Sequence, residues 1–141
     1  MRYLLDTMVL SEVRKARADA RVVAWLEGTS EDDVAISVLT LGEIERGIAR
    51  LDDAAVRDRL RAWVEDEFRP RFGERLLGVD AAVASAWGRV SGAAARTSRT
   101  VPVIDGLLVA TALHHGLTLV TRNVAHAEGL GVDVLDPWRE R

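Results

Sequence analysis

The sequence predicts an α/β domain: a central, mainly parallel sheet of four to five strands, flanked by helices on both faces. Three observations carry this. Short apolar runs rich in branched residues alternate with segments of helical periodicity from end to end, the pattern of strands joined by crossover helices. No internal repeat, low-complexity tract or linker interrupts it. The length of 141 residues suits one domain over 1–141, which can bury roughly two-thirds of its unfolded surface without a staple.

Arg2 to Leu5 reads as a short buried strand and Thr7 to Val13 as a short helix. A second helix runs from Asp19 to Glu27 and is ended by Gly28. Val34 to Ser37, rich in branched residues, is the second strand. Thr40 to Leu51 has helical spacing through Leu41, Ile44 and Ile48, and Asp53 to Phe68 carries Val56, Leu60, Trp63 and Val64 on one stripe. Pro70 and Gly73 then break the chain. Arg75 to Val79 is a third strand, and Asp80 caps a long helix through Val83, Trp87 and Val90. Val103 to His115 is a helix apolar nearly all round, closed by Gly116, with His114 and His115 complementing the dipole in its last turn. Leu117 to Thr121 is the fourth strand, and Val132 to Leu135 offers a fifth.

Composition excludes several classes. There is no cysteine, which removes disulfides, thiolate metal sites and cysteine nucleophiles. The apolar stretch at the N-terminus is short and interrupted by Asp6, and no run approaches the roughly 20 apolar residues of a membrane span. A soluble cytoplasmic protein without membrane contact is expected. The net charge of −3 is not that of a strongly basic nucleic-acid binder. The cations are nearly all Arg, with Lys15 the single lysine. Arg suits bidentate phosphate contacts, but the accompanying wealth of Ala, Val and Gly is that of a GC-rich genome, and codon bias is the favoured account of the arginines.

Three acids stand out. Asp6 closes Tyr3-Leu4-Leu5, Glu43 lies in Leu41-Gly42-Glu43-Ile44, and Asp105 sits at the mouth of the apolar helix in Val103-Ile104-Asp105-Gly106-Leu107. In a parallel α/β sheet, ligands gather at the carboxyl ends of the strands. Asp6 follows the first strand there, and Thr121, Arg122 and Asn123 follow the fourth. Each acid also has a plainer role open to it. Asp6 is a good N-cap, Thr40 to Glu43 matches a capping box, and Asp105 complements a helix dipole. Should the fold bring them together, two carboxylates about 4 Å apart would repel by about 4 kcal/mol at an effective dielectric near 20. Protonation or a cation must then relieve them. Hard oxygen donors without Cys favour Mg²⁺ or Mn²⁺, which suits phosphate chemistry.

These segments resemble the PIN-domain ribonucleases, and within them the VapC-type toxins of type II toxin–antitoxin pairs, nearest the FitB-like branch. The resemblance rests on Leu4-Leu5-Asp6-Thr7 with Val9-Leu10-Ser11-Glu12, on Leu39 to Ile44 with Arg46-Gly47-Ile48, on Ile104 to Ala112, on Leu119 to Asn123, and on Pro137-Trp138. It implies a PIN-like sheet with an acidic pocket that binds Mg²⁺ or Mn²⁺. Asp6, Glu43 and Asp105 would be the catalytic and metal-binding acids. Thr7, Thr121 and Asn123 would hydrogen-bond in the pocket or to substrate. It further implies hydrolysis of RNA, possible transfer RNA included, by water to leave a 5′-phosphate. The implied partners are a second copy of the chain and a cognate antitoxin that alone reaches operator DNA.

Two departures from the pattern bear on activity. Met8 stands where relatives often have Asn, and Asn123 and His126 stand where relatives supply a fourth acid. A catalytically impaired PIN-like binding or regulatory module is therefore the alternative reading. A phosphoryl-transfer fold with Asp6 as nucleophile fits less well, because such folds want a second Asp beside the first and a late Lys, whereas Thr7 and Met8 follow Asp6 and no Lys follows Lys15. Phosphate binding would fall to Arg57, Arg59, Arg61, Arg69 and Arg71, or to Arg96 and Arg99. A partner would find apolar surface around Val22, Trp25 and Leu26 and around Val56, Leu60 and Trp63.

Overall fold

The computed structural model describes residues 1–139. Strands β1 (Tyr3–Leu5), β2 (Val34–Ser37), β3 (Leu76–Leu77), β4 (Thr118–Val120) and β5 (Val134–Leu135) form one sheet in the order β3-β2-β1-β4-β5, with every pairing parallel. Among the described residues the helices are α1 (Thr7–Val13), α2 (Ala20–Glu27), α3 (Val38–Ala49), α4 (Ala54–Trp63), α5 (Arg69–Phe72), α6 (Ala81–Ala95), α7 (Val103–His115) and α8 (Val124–Ala127). Among the same residues no helix is long and apolar enough to cross a membrane.

The chain lays down β1, β2 and β3 in one direction, then returns to the other side of β1 for β4 and β5. The reversal falls between β1 and β4. Connections leaving those two strands diverge, and a crevice opens at their carboxyl ends. Asp6 leaves β1 at this point and Thr121 leaves β4.

Strand alternation sorts side chains between two cores. Leu4, Ala35 and Leu119 join Leu108, Val109 and Ala112 of α7 in one. Leu5, Val34, Ile36 and Val120 join Val9, Val22 and Phe68 in the other. Leu4 and Leu5 are both almost fully buried, so β1 is apolar on consecutive residues because both its faces are covered. Helix α7 is buried from Gly106 to Ala112 apart from Leu107, and Gly116, left-handed at φ +66, ends it as expected. Its first turn departs from the expectation of a helix buried all round: Val103 and Ile104 are exposed.

Four further differences have local causes. Helix α3 is capped by Ser37, whose Oγ accepts the Leu39 N–H at 3.0 Å. β2 runs straight into this helix, so the last strand residue is the cap, and Thr40 lies buried inside the helix without forming a capping box with Glu43. The helix of residues 53–72 does not stop at Pro70. A π-turn over Val64–Phe68, in which Arg69 N–H reaches the Val64 carbonyl, precedes the ring; such widening relieves the clash of a proline with the preceding turn. β3 is shorter than Arg75 to Val79, because the Arg75 guanidinium donates to the carbonyls of Glu31, Val34 and Arg71 and ties down a 3₁₀ turn over Gly73–Arg75. Helix α8 is a single turn that periodicity does not signal.

Asp19 caps α2, accepting the Arg21 N–H at 2.8 Å and pairing with the Arg21 guanidinium at 2.8 Å. The Arg21 side chain, and then its amide, pull the Asp19 carboxyl from an ordinary 3.8 down to about 2. A depressed carboxyl pKa stabilises the fold above the unfolded value, and the contribution is lost as pH falls from about 4 toward 2. Asp19→Ala is therefore expected to melt below the wild type at pH 6, with the gap closing across that acid window. Calorimetric melts as a function of pH check this, and a gap of constant size would contradict it.

Candidate active site

Asp6 occupies the N-cap position of α1 with extended backbone, yet its side chain makes no capping bond. Its carboxylate turns instead to the end of β4, where Thr121 Oγ1 donates to Asp6 Oδ2 at 2.7 Å. Asp6 is 8 % exposed and Thr121 2 %. Both are anchored to the sheet by main chain, Asp6 N–H to the Val120 carbonyl and Thr121 N–H to that of Leu135. A buried carboxylate needs such a donor.

Glu43 comes from the first half of α3, one turn after Thr40. Thr7 Oγ1 donates to Glu43 Oε1 at 2.7 Å and lies 3.1 Å from Thr40 Oγ1. A hydroxyl has one proton. The carboxylate takes that of Thr7, so Thr40 is the donor to Thr7, and a relay runs from α3 through α1 and back. Asp105 stands in the first turn of α7, favourably placed at the positive end of the helix. Its Oδ2 lies 3.0 Å from His126 Nδ1.

The three acids line one cavity of about 300 Å³, with Met8, Glu12, Lys15 and Arg122 also in its wall. Asn123 lies at its edge: its N–H donates to Thr121 Oγ1 at 3.0 Å and its amide meets Met8 Sδ at 3.4 Å. Among the described residues no three Asp, Glu or His side chains stand close enough to hold an ion directly between them. Asp6, Glu43 and Asp105 each engage a neighbour through one oxygen and leave the other without a protein partner among those residues. Such a set of hard, half-free oxygens fits a cation that takes one or two carboxylates directly and keeps several waters, as Mg²⁺ does.

Glu12 is a fourth acid in this wall to which the sequence pattern assigned no role. It is 7 % exposed, and it accepts from Lys15 Nζ at 3.0 Å and from the Asp19 N–H at 2.9 Å. The Asp19 amide, then Lys15, hold its carboxyl below the usual value. The signal was available: Met8, Ser11 and Glu12 recur at three and four residues, which puts them on one face of α1, with Lys15 following just past its end.

Four of the seven arginines expected to meet phosphate are engaged within the protein. Arg71 pairs with Glu31 at 2.6 Å and Arg69 with Glu65 at 3.3 Å. Arg57 donates to the Leu51 carbonyl, and Arg99 donates to carbonyls around α8. Arg122, beside the cavity, lies over the Trp138 ring at 5.3 Å. A second, larger concavity of about 510 Å³ lies between α1, α2 and the α4–α5 segment, floored by Leu10, Leu26, Ile44, Trp63, Phe68 and Phe72 and edged by Arg14, Arg71 and Arg75.

A parallel sheet reversed at β1/β4, with acids from three separate elements facing one crevice, defines a class of acid-pocket α/β domains. The sequence matches the PIN domain over residues 3–128, and the chain belongs to that family. It is 33% identical over 137 residues to the toxin FitB of Neisseria gonorrhoeae, covering 97% of this chain and 99% of that one. It is 30% identical over 132 residues to the ribonuclease VapC4 of Mycobacterium tuberculosis, covering 87% and 97%. Among solved structures it is similar to FitAcB from N. gonorrhoeae, with a TM-score of 0.91, 33% identity and coverage of 98% and 99%. It is also similar to VapBC-5 of M. tuberculosis, a member of the VapBC family of toxin-antitoxin systems, with a TM-score of 0.64, 26% identity and coverage of 95% of each chain.

Gly106 follows Asp105 and packs on α6. A Cβ there would stand 3.0 Å from Trp87 Cδ1 and 3.1 Å from Trp87 Nε1. Gly106→Ala is expected to force the helices apart and to cost about 1–3 kcal/mol by overpacking, with part of the loss recovered when Trp87→Leu is added. Urea denaturation of the two single variants and the double variant checks this; strictly additive losses would show that the two positions do not meet.

Proposed function

We propose that this chain is a metal-dependent endoribonuclease, the toxin of a type II toxin–antitoxin pair, that hydrolyses RNA phosphodiester bonds and is neutralised by a cognate antitoxin. The observation that carries the reading is that Asp6, at the β1–α1 junction, Glu43 of α3 and Asp105 of α7 line one cavity at the sheet's switch point. The relatives add support, one named a toxin, one a ribonuclease, and one solved structure a toxin-antitoxin system.

Asp6 and Asp105 would hold Mg²⁺ or Mn²⁺, with Glu43 completing the shell through water. When bound, the cation would neutralise phosphate charge and lower the pKa of an attacking water. Thr121 fixes the Asp6 carboxylate and Thr7 that of Glu43, so neither has to reorganise when substrate arrives. Glu43 Oε2 is available to take the proton of the water as its oxygen bonds to phosphorus; the bond from phosphorus to the 3′-oxygen breaks and solvent protonates that oxygen. Lys15 and Arg122 at the cavity wall are the cations nearest to meet a backbone phosphate. Exposed loops of structured RNA, transfer RNA among them, present the splayed nucleotides such a pocket requires.

The apolar groove beside α1 and α2 suits an amphipathic segment of the antitoxin, through which alone the assembly would touch operator DNA. A homodimer would bring two acidic pockets to one face. The impaired-module alternative draws on Asn123 and His126 standing where the family pattern has acids.

Purified protein is expected to cleave RNA with Mg²⁺ or Mn²⁺ and to stop on addition of EDTA. Asp6→Asn, Glu43→Gln and Asp105→Asn should each lower the rate at least a hundredfold, and Thr121→Val about tenfold, the usual cost of losing a side chain that orients a ligand. Induced expression should arrest growth for the wild type and not for Asp6→Asn. Equal arrest by both, or metal-independent cleavage, would overturn the reading; a folded wild type that binds the ion yet cuts nothing would favour the binding module.

A further inference from the structure

Arg99 serves the protein's own main chain. Its guanidinium donates to the Ala125 carbonyl at 2.9 Å, to that of His126 at 3.2 Å, and to that of Glu128. Helix α8 needs such a partner. It is a single turn of four residues, too short to persist by itself, and a helix end leaves carbonyls without intrahelical donors. The Glu128 N–H takes the Val124 carbonyl and the Leu130 N–H that of Ala127. One planar cation gathers three more.

The root of Arg99 is firm. Its own N–H donates to the Ala94 carbonyl at the end of α6, as does Thr97 Oγ1. Among the described residues Ser98 is the single non-glycine with left-handed backbone, at φ 59, a conformation that persists where the surroundings fix it. The loop from α6 to α7 is thereby tied to α8.

What α8 supports is a wall of the acidic site. Asn123 and Ala127, at its two ends, line the innermost recess together with Asp6, Asp105 and Thr121. Asn123 N–H donates to Thr121 Oγ1 at 3.0 Å, and Thr121 Oγ1 donates to Asp6 Oδ2 at 2.7 Å. A hydroxyl has one proton. With the Asn123 amide on its acceptor side, that proton is aimed at Asp6. A shift of α8 thus reaches the carboxylate through two hydrogen bonds.

We propose that Arg99 is a positioning residue for the acidic pocket: by clamping α8 it keeps Asn123 on Thr121 and Thr121 on Asp6, and so sets how well the pocket takes up its cation. The proposal rests on the metal-site reading above. Groups that orient a metal ligand from outside are worth about 10- to 100-fold in affinity, and Arg99 acts one step further out, so a loss of about three- to tenfold is expected without it.

The test is isothermal titration of the purified full chain with Mn²⁺, comparing Arg99→Ala with Arg75→Ala. Arg75 makes a matching clamp on the carbonyls of Glu31, Val34 and Arg71 but borders the aromatic groove. Arg99→Ala is expected to bind Mn²⁺ about three- to tenfold more weakly than the wild type, and Arg75→Ala as tightly. Hydrogen exchange on the metal-free chain gives a second readout. In Arg99→Ala the protection of the Glu128 and Leu130 amides should fall about tenfold while that of Thr121, bonded within the sheet, stays. Unchanged Mn²⁺ affinity in Arg99→Ala overturns the proposal. So does an equal loss in Arg75→Ala, which would mark general loosening, and so does an α8 that keeps its protection; all three leave the metal site standing. If Arg99→Ala does not fold, Arg99→Lys, whose one ammonium cannot span three carbonyls, carries the same comparison against Arg75→Lys. Asp6→Asn is expected to lose binding; if it binds as the wild type does, the metal-site reading falls and this proposal with it.

Discussion

The hydrogen bond from Thr121 to Asp6 is the constraint on which the pocket depends. It joins residues 115 positions apart, both buried, at the point where the sheet reverses direction. Without the hydroxyl, a nearly buried carboxylate would lose its one side-chain donor, and such a group is costly to leave unpaired. The bond exists because β1 and β4 are neighbours in register, Leu5 opposite Val120, so the next residue of each strand necessarily meets the other. Parallel pairing brings the side chains together, and the chemistry of the pocket begins there.

The other acids are fixed by the same economy of means. Each meets a side chain from a different element: Glu43 of α3 accepts from Thr7 of α1, and Asp105 of α7 lies 3.0 Å from the ring of His126 of α8. Like charges are thereby set around a shared space without being pressed together, and each keeps an oxygen free. Two cores, one on each face of the sheet, lock the helices that carry these residues. Helix α7 is buried over most of its length, whereas its first turn emerges at the cavity mouth with Ile104 in its wall. The helix is apolar where it supports and exposed where it serves.

Much of this is legible from residues alone. β1, β2, α1 and α7 match their apolar runs, and the Asp80 and Gly116 caps fall where side-chain chemistry puts them. The three acids are conspicuous because each interrupts an apolar stretch. What escaped depends on tertiary context. A threonine followed three residues later by a glutamate reads as a capping box, but Ser37, at the end of a strand that sequence alone cannot join to its helix, takes the cap. Glu12 is only half legible: its spacing with Met8 and Ser11 shows a shared face of α1, but nothing local says that this face borders a cavity made by residues about a hundred positions away. Arg71 and Arg99 looked free for phosphate because their partners, Glu31 for Arg71 and the carbonyls around α8 for Arg99, are remote in the chain.

The π-turn ahead of Pro70 also aligns aromatic rings. In an unbroken α-helix, Trp63 and Phe68 would point about 140° apart. The widened turn brings their centroids to 5.2 Å, and Phe68 lies 5.2 Å from Phe72 in turn, so all three floor the same groove. Four residues between ordinary helical turns would give that stripe directly; here five do so. The segment therefore acts as an expansion joint, a place where one extra residue is taken up in the widened turn while the aromatic floor keeps its alignment.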